Sequence, residues 1–274
     1  MARAFGRLLL LHGEPVVAVA SRTASTAGRT ASALGAAVAA VEYVNLPSIA
    51  SNILIAVSDA GISSVAETLA AGGMRHGVVL HTCGARGPDA LAPLQARGVA
   101  CGMLHPLQSI TGDTASLDGI AFGVAGDPRA CAWGEEIVSI ANGRIVHLDE
   151  RHLGSYHTAA VMASNAIVAV MDAAIALMSR AGVERGIALD ALAPLSRTTL
   201  ENALRDGPLA AVTGPISRGD AATVAAHLDA VADAPPTIRH LYRAAADHLV
   251  YLARQRGLEE GCVRAVESVL RHEG

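Results

Sequence analysis

Short apolar runs recur through the first half of the chain, each closing in small or polar residues. PVVAVAS (15–21), ILIAVSD (53–59), VVLHTCG (78–84) and ACGML (100–104) are of this kind. This is how strands read when a parallel sheet is covered on both faces. Weaker strand signals follow at Ile120–Val124 and Arg144–Leu148. Ala2 to Glu14 reads as an amphipathic first helix, and Ile62–Ala71 and Pro88–Arg97 as helices between strands. Alternation of this sort predicts α/β architecture on a doubly wound, mostly parallel sheet. Residues 23–41, biased to Ala, Ser and Thr, are mildly low in complexity.

The pattern changes near residue 150. Arg151 to Ala181 reads as one long helix, apolar on most faces through its middle, which predicts burial on most sides. Helical segments near 189–205, 220–232, 236–256 and 259–272 follow, separated by Gly and Pro. The expected division is an α/β domain over 1–149 and an all-helical domain over 150–274.

Composition narrows the function. With 51% apolar and 3% aromatic residues, the cores are built from Ala, Val, Leu and Ile. A net charge of -4 gives no electrostatic reason to expect nucleic acid, and few aromatics are present to stack on bases. All 21 basic residues are Arg, which excludes Schiff-base chemistry and a lysine acid or base. The 4 cysteines are scattered without CxxC spacing, as reduced thiols in a cytosolic protein are. Arg3 and Arg7 precede LLLL, an apolar run too short for a secretory signal. MASNAIVAVMDAAIALM contains Asn165 and Asp172 and is too short and polar for a lone membrane span. The expectation is a cytoplasmic protein with neither membrane nor nucleic-acid partner.

Ligands of an open doubly wound sheet lie beyond the carboxyl ends of its strands. Those ends are Ser21-Arg22-Thr23, Val57-Ser58-Asp59, His81-Thr82-Cys83-Gly84 and Leu104-His105-Pro106. The strand before Arg22 would be second in the fold, where NAD-binding proteins carry Asp or Glu for the ribose 2′-hydroxyl. Here a cation stands between two hydroxyls, suited to the 2′-phosphate of NADP; the alternative is an exposed Arg in a surface loop. The companion feature is a G-x-G-x-x-G/A turn that seats the pyrophosphate on a helix N-terminus. If Ala2 is the last small residue of that turn, the first strand and its glycines lie about 10 residues upstream. Loss of so central a strand is expected to split the sheet.

HTCGA (81–85), LHPLQ (104–108), SYHTAAVMASN (155–165) and VTGPISRGDAATVAAH (212–227) are specific in combination. Together they resemble a family of bacterial Rossmann-like proteins with a C-terminal helical domain of unknown function. That family is similar in build to pyrroline-5-carboxylate reductase, 6-phosphogluconate dehydrogenase and deazaflavin-dependent NADP oxidoreductases. The resemblance runs from Ala2 to about Leu252. It implies a Rossmann-type nucleotide-binding domain, then a helical domain like the C-terminal one of 6-phosphogluconate dehydrogenase, which usually dimerises, with substrate between the two. Deazaflavin is compatible with the resemblance but has no support in the residues. The family usually carries Ser at the position of Cys83.

Related hydroxyacid dehydrogenases place Lys and Asn one turn apart on the long helix; this chain has His157 and Asn165 there. On a continuous helix His157, Ser164, Asn165 and Asp172 share about a 100° arc. His157 is the candidate proton relay and Asn165 the orienting group, with Ser164 beside the substrate; the alternative is a core or dimer-contact histidine. His81 and His105 are expected to line the nicotinamide pocket or to make structural hydrogen bonds at strand ends. With Cys83 and Cys101 they form H-x-C…C-x-x-x-H, but the family's Ser at position 83 would break a zinc set, and no metal is expected. In TGPISRGD, Arg218 suits a substrate carboxylate or phosphate and Asp220 suits a helix cap, or the two pair across a tight turn. Asn202 and His227 offer further polar groups. The activity expected is NADP-dependent hydride transfer to or from a C=N or C=O carbon of a small polar substrate. The alternative is a regulatory or scaffolding protein that binds NADP(H) without turnover.

Overall fold

The computed structural model describes residues 1–110 and 116–271, which form two compact units, Met1–Ser164 and Asn165–Gly274. The boundary places 150–164 with the first unit, because Leu153 and Tyr156 join a cluster there with Met103, Ala125 and Leu148.

The first unit begins α1 (Ala2–Leu11), β1 (Ala18–Ala20), α2 (Ala24–Leu34) and β2 (Ala39–Val41). Next come β3 (Asn52–Ile55), α3 (Ile62–Ala71), β4 (Val78–His81), α4 (Ala92–Gln95) and β5 (Ala100–Pro106). It ends β6 (Ala121–Gly126), α5 (Pro128–Ile140), β7 (Arg144–His147) and α6 (Leu153–Ala163). Strands β3, β4 and β5 pair in parallel, β6 lies antiparallel to β5, and β7 is parallel to β6. Strands β1 and β2 form a separate parallel ribbon, and no ladder joins β1 to β3 among the described residues.

Alternation along the strands builds a core on each face of the sheet. Ile53, Ile55 and Val79 pack with Ile62 and Leu69 on one side. Val78, Leu80 and Phe122 pack with Phe5, Leu8 and Ile137 on the other. Two elements of the low-complexity stretch, α2 and β2, emerge only in the structure. Thr23 caps α2 by accepting from the Thr26 amide, which starts a helix that hydrophobic periodicity does not announce.

The second unit is all-helical: α7 (Asn165–Arg180), α8 (Arg185–Asp206), α9 (Pro208–Ala211), α10 (Ala221–Ala232), α11 (Pro236–Gln255) and α12 (Glu260–Arg271). Position 272, the last of the expected final helix, lies outside the described residues. The core of this unit joins Ile216, Val224, Ala246, Val250, Val263 and Val266.

The long helix differs from expectation in two respects. It is interrupted at Ser164, whose backbone leaves helical geometry at φ -129 and ψ -74 and whose hydroxyl donates back to the Ala160 carbonyl. His157 therefore lies on α6 while Asn165 and Asp172 belong to α7. Nor is the stretch buried. Met162 is 64% exposed and Val168 70%. Residues 150–180 are long and apolar enough to cross a membrane by length and composition, with 6% of the most apolar window buried.

Candidate functional site

The carboxyl ends of β3, β4 and β5 lie at one edge of the sheet, since these strands run parallel. His81 closes β4 and is fully buried. Its Nε2 lies 3.0 Å from the Gly87 carbonyl, and its Nδ1 accepts from the Cys83 amide at 3.3 Å. Both ring nitrogens are thus committed to holding the 82–87 loop. Burial lowers the pKa of His81, with Arg86 adding to the effect against the Gly87 carbonyl. This ring makes structural hydrogen bonds at the strand end and has no nitrogen left for a ligand. Thr82 and Cys83 are buried beside it. Burial, reinforced by Asp59, pushes the Cys83 thiol up, away from the reactive thiolate. Ser58 precedes a 3-10 turn at Asp59–Gly61, and Val57 packs against the core beside β3.

His105 is the neighbouring strand-end histidine, and its surroundings differ. Its Nδ1 lies 2.8 Å from the Tyr156 hydroxyl. Its ring meets that of Tyr156 edge-on at 5.6 Å and that of His157 at 5.8 Å. Two glycines make the room. A Cβ on Gly84 would stand 2.7 Å from the His105 ring, and one on Gly123 would stand 2.4 Å from the Tyr156 hydroxyl. Register places Gly123 directly opposite His105 across the β5–β6 pair. Burial, and to a smaller degree the neighbouring His157 and His81, lowers the His105 pKa to about 4, against an opposing effect of Asp59. Burial pushes Tyr156 up to about 12, although the Gly123 backbone favours its ionised form. His157 Nδ1 is buried without a hydrogen-bond partner, a costly arrangement for a polar atom.

Tyr156 was not singled out in the sequence. The available signal was its position beside His157 in a polar break of an otherwise apolar helix, but nothing local announces a partner on β5.

Ser21 and Arg22 follow β1 and line a cavity of about 360 Å³ with Ala24, Glu42, Tyr43 and Thr68. The Arg22 guanidinium has no hydrogen bond or ion pair among the described residues. Thr23 does not join it; its hydroxyl caps α2 and donates to Thr26 Oγ1 at 2.9 Å. Ala2 is the first residue of α1, whose start has no side-chain cap.

In the second unit, Arg218 lines a separate cavity of about 490 Å³ with Thr213, Ser217 and Arg256. Asp220 is not part of that site. Its two oxygens are taken by the Thr223 amide at 3.0 Å and hydroxyl at 2.6 Å, capping α10. Asn165 opens α7, and Asp172 pairs with Arg185 at 2.9 Å. Asn202 accepts from Arg205, and His227 Nδ1 lies 3.0 Å from the Tyr242 hydroxyl. No three His, Cys, Asp or Glu side chains among the described residues are arranged to hold a metal. Cys101 lies inside the sheet, its thiol pushed up to about 12 by burial and by Asp127.

The fold is that of Rossmann-like proteins with a helical C-terminal domain. Residues 120–249 match the family model described as Domain of unknown function (DUF2520). No curated protein matches the chain. Among solved structures, a Thermotoga maritima protein is 21% identical, with a TM-score of 0.71 over 93% of this chain and 95% of its own. An imine reductase from a Pseudomonas species is 16% identical, with a TM-score of 0.63 over 99% of this chain and 96% of its own. Pyrroline carboxylate reductase of Plasmodium falciparum, solved with NADP bound, is 12% identical, with a TM-score of 0.57 over 98% and 92%. At these identities the likeness establishes the fold.

Proposed function

We propose that the chain is an NADP-dependent oxidoreductase acting on a C=N or C=O carbon of a small polar substrate. The observation that carries this reading is the buried, unpartnered Nδ1 of His157 beside the His105 ring, at the strand edge where the fold binds ligands. Imine reductase and pyrroline carboxylate reductase, whose fold the chain shares, reduce bonds of this class.

The residues present fit the cofactor's adenosine end. The cavity beside β1 combines an uncommitted guanidinium with the Ser21 hydroxyl and the Tyr43 ring, suiting a phosphate next to a flat base. Glu42 lines the same cavity. A reduced nicotinamide held here would supply a hydride for the substrate carbon. His157 then delivers the proton that the substrate nitrogen or oxygen takes up as its π bond breaks, or removes it in the reverse direction. The absence of lysine leaves histidine as the side chain suited to this task near neutral pH.

The reading extends to assembly. Val168 on α7 and Leu195 and Leu204 on α8 are 70%, 63% and 77% exposed. A second copy of the chain is the partner we assign to these residues, since large aliphatic side chains left in the open mark interaction surfaces.

The test is NADPH oxidation against a panel of cyclic imines and ketoacids, with wild type and His157→Asn. Turnover that the substitution reduces by 10²-fold or more, on the order expected of a general acid, supports the proposal. Saturable binding of NADPH without turnover across the panel favours the regulatory reading instead.

A further inference from the structure

A hydrogen bond between His105 Nδ1 and the Tyr156 hydroxyl can be donated from either side, and the choice decides what the other face of the imidazole presents. Three observations settle the direction. Burial keeps the Tyr156 phenol protonated at neutral pH, so the hydroxyl has a proton to place. The one acceptor that the described residues place within hydrogen-bond distance of that hydroxyl is His105 Nδ1, so the phenolic proton is donated to the ring. The groups facing His105 are Tyr156 and His157 from α6, His81 from β4 and Asp59 from the turn after β3. Of these only Asp59 favours an imidazolium, and burial and the two histidines outweigh it, so the ring is neutral.

A neutral imidazole carries one N–H. With Nδ1 accepting, that proton is on Nε2, which has no hydrogen-bond partner among the described residues. We propose that Tyr156 is a positioning residue: its hydroxyl fixes His105 as the Nε2–H tautomer, so that His105 meets the substrate's carbonyl oxygen or imine nitrogen as a neutral hydrogen-bond donor. The inference rests on the reading of this edge as a reductase site and assigns the two histidines different work. His105 polarises the double bond and keeps its proton, as a neutral imidazole can when the imidazolium is disfavoured. His157 moves the proton. Gly84 and Gly123 are the positions at which the chain gives up a side chain so that ring and hydroxyl can meet.

The experiment is long-range ¹H–¹⁵N NMR of the histidine rings in the full chain, over about pH 5 to 8. It needs neither cofactor nor substrate. Wild type is expected to show His105 neutral and Nε2–H throughout, and Tyr156→Phe a mixture of both tautomers. Gly123→Ala, which displaces the hydroxyl without removing it, is expected to give the same mixture and covers a failure of the first variant to fold. In turnover, Tyr156→Phe is expected to lower kcat about tenfold with KM little changed, the kinetic equivalent of one misdirected hydrogen bond. An Nδ1–H tautomer in wild type, an imidazolium near pH 6, or a tautomer unmoved in both variants overturns the proposal. An Nε2–H ring in a protein that turns over no imine or ketoacid overturns the reductase reading instead and leaves the tautomer assignment standing.

Discussion

Tyr156 Oη and His105 Nδ1 lie 2.8 Å apart although 51 residues separate them in the chain. The bond ties α6 to β5 and is the tightest polar link in the cluster at the strand edge. Its geometry depends on what Gly84 lacks, because a Cβ there would stand 2.7 Å from the imidazole. Gly84→Ala is therefore expected to lower stability by about 1–3 kcal/mol, the usual cost of overpacking a filled site. Urea unfolding measures this, and an unchanged midpoint would show that the ring is not held where the structure places it.

Acid stability follows from the same ring. The His105 pKa falls from its ordinary 6.5 to about 4 on folding, chiefly through burial. As pH drops through 6.5 the unfolded chain takes up this proton, whereas the folded chain waits until about 4. Over that window protons bind the unfolded state more strongly, so the contribution is intact above 6.5 and is lost progressively toward 4. Thermal unfolding of wild type is expected to weaken more steeply with acid than that of His105→Asn. Part of the slope persists in the variant, because His81 is shifted in the same direction. Identical slopes would contradict a buried, neutral His105.

The exposed aliphatic residues of α7 and α8 carry the assembly prediction. Analytical ultracentrifugation in detergent-free buffer is expected to give a dimer, twice the 27.9 kDa chain mass. Val168→Asp with Leu204→Arg is expected to shift it to the monomer while leaving far-UV circular dichroism unchanged. A monomeric wild type, or one that stays dispersed only in detergent, would contradict pairing with a second copy.

Much of the fold was legible because buried strands announce themselves. Ile53 and Ile55 alternate with Leu54 between two cores, and Val78, Val79 and Leu80 are apolar in sequence because both faces of β4 are covered. By contrast, β2 is three residues, Ala39–Val41, on a partly exposed ribbon, and α2 rests on small residues and a Thr23 cap, so neither leaves a periodic signal. The break at Ser164 was hidden because a serine interrupts no apolar pattern. The strand-end histidines were visible in the sequence, but their contacts were not. His81 and His105 look alike as strand-end residues, and only three-dimensional contact shows that Gly87 and Cys83 occupy one ring while Tyr156 and an open nitrogen define the other.

The central claim is the proposal that the chain binds NADP in particular, with Arg22 making that choice. The direct measurement is a fluorescence titration with NADPH and with NADH, using wild type and Arg22→Ala. Wild type is expected to bind NADPH saturably and in preference to NADH. The substitution is expected to weaken NADPH by about tenfold or more, the worth of a charge-assisted hydrogen bond, and to leave NADH nearly unchanged. Equal affinity for the two nucleotides, or an Arg22→Ala variant that binds NADPH as tightly as wild type, would contradict the account.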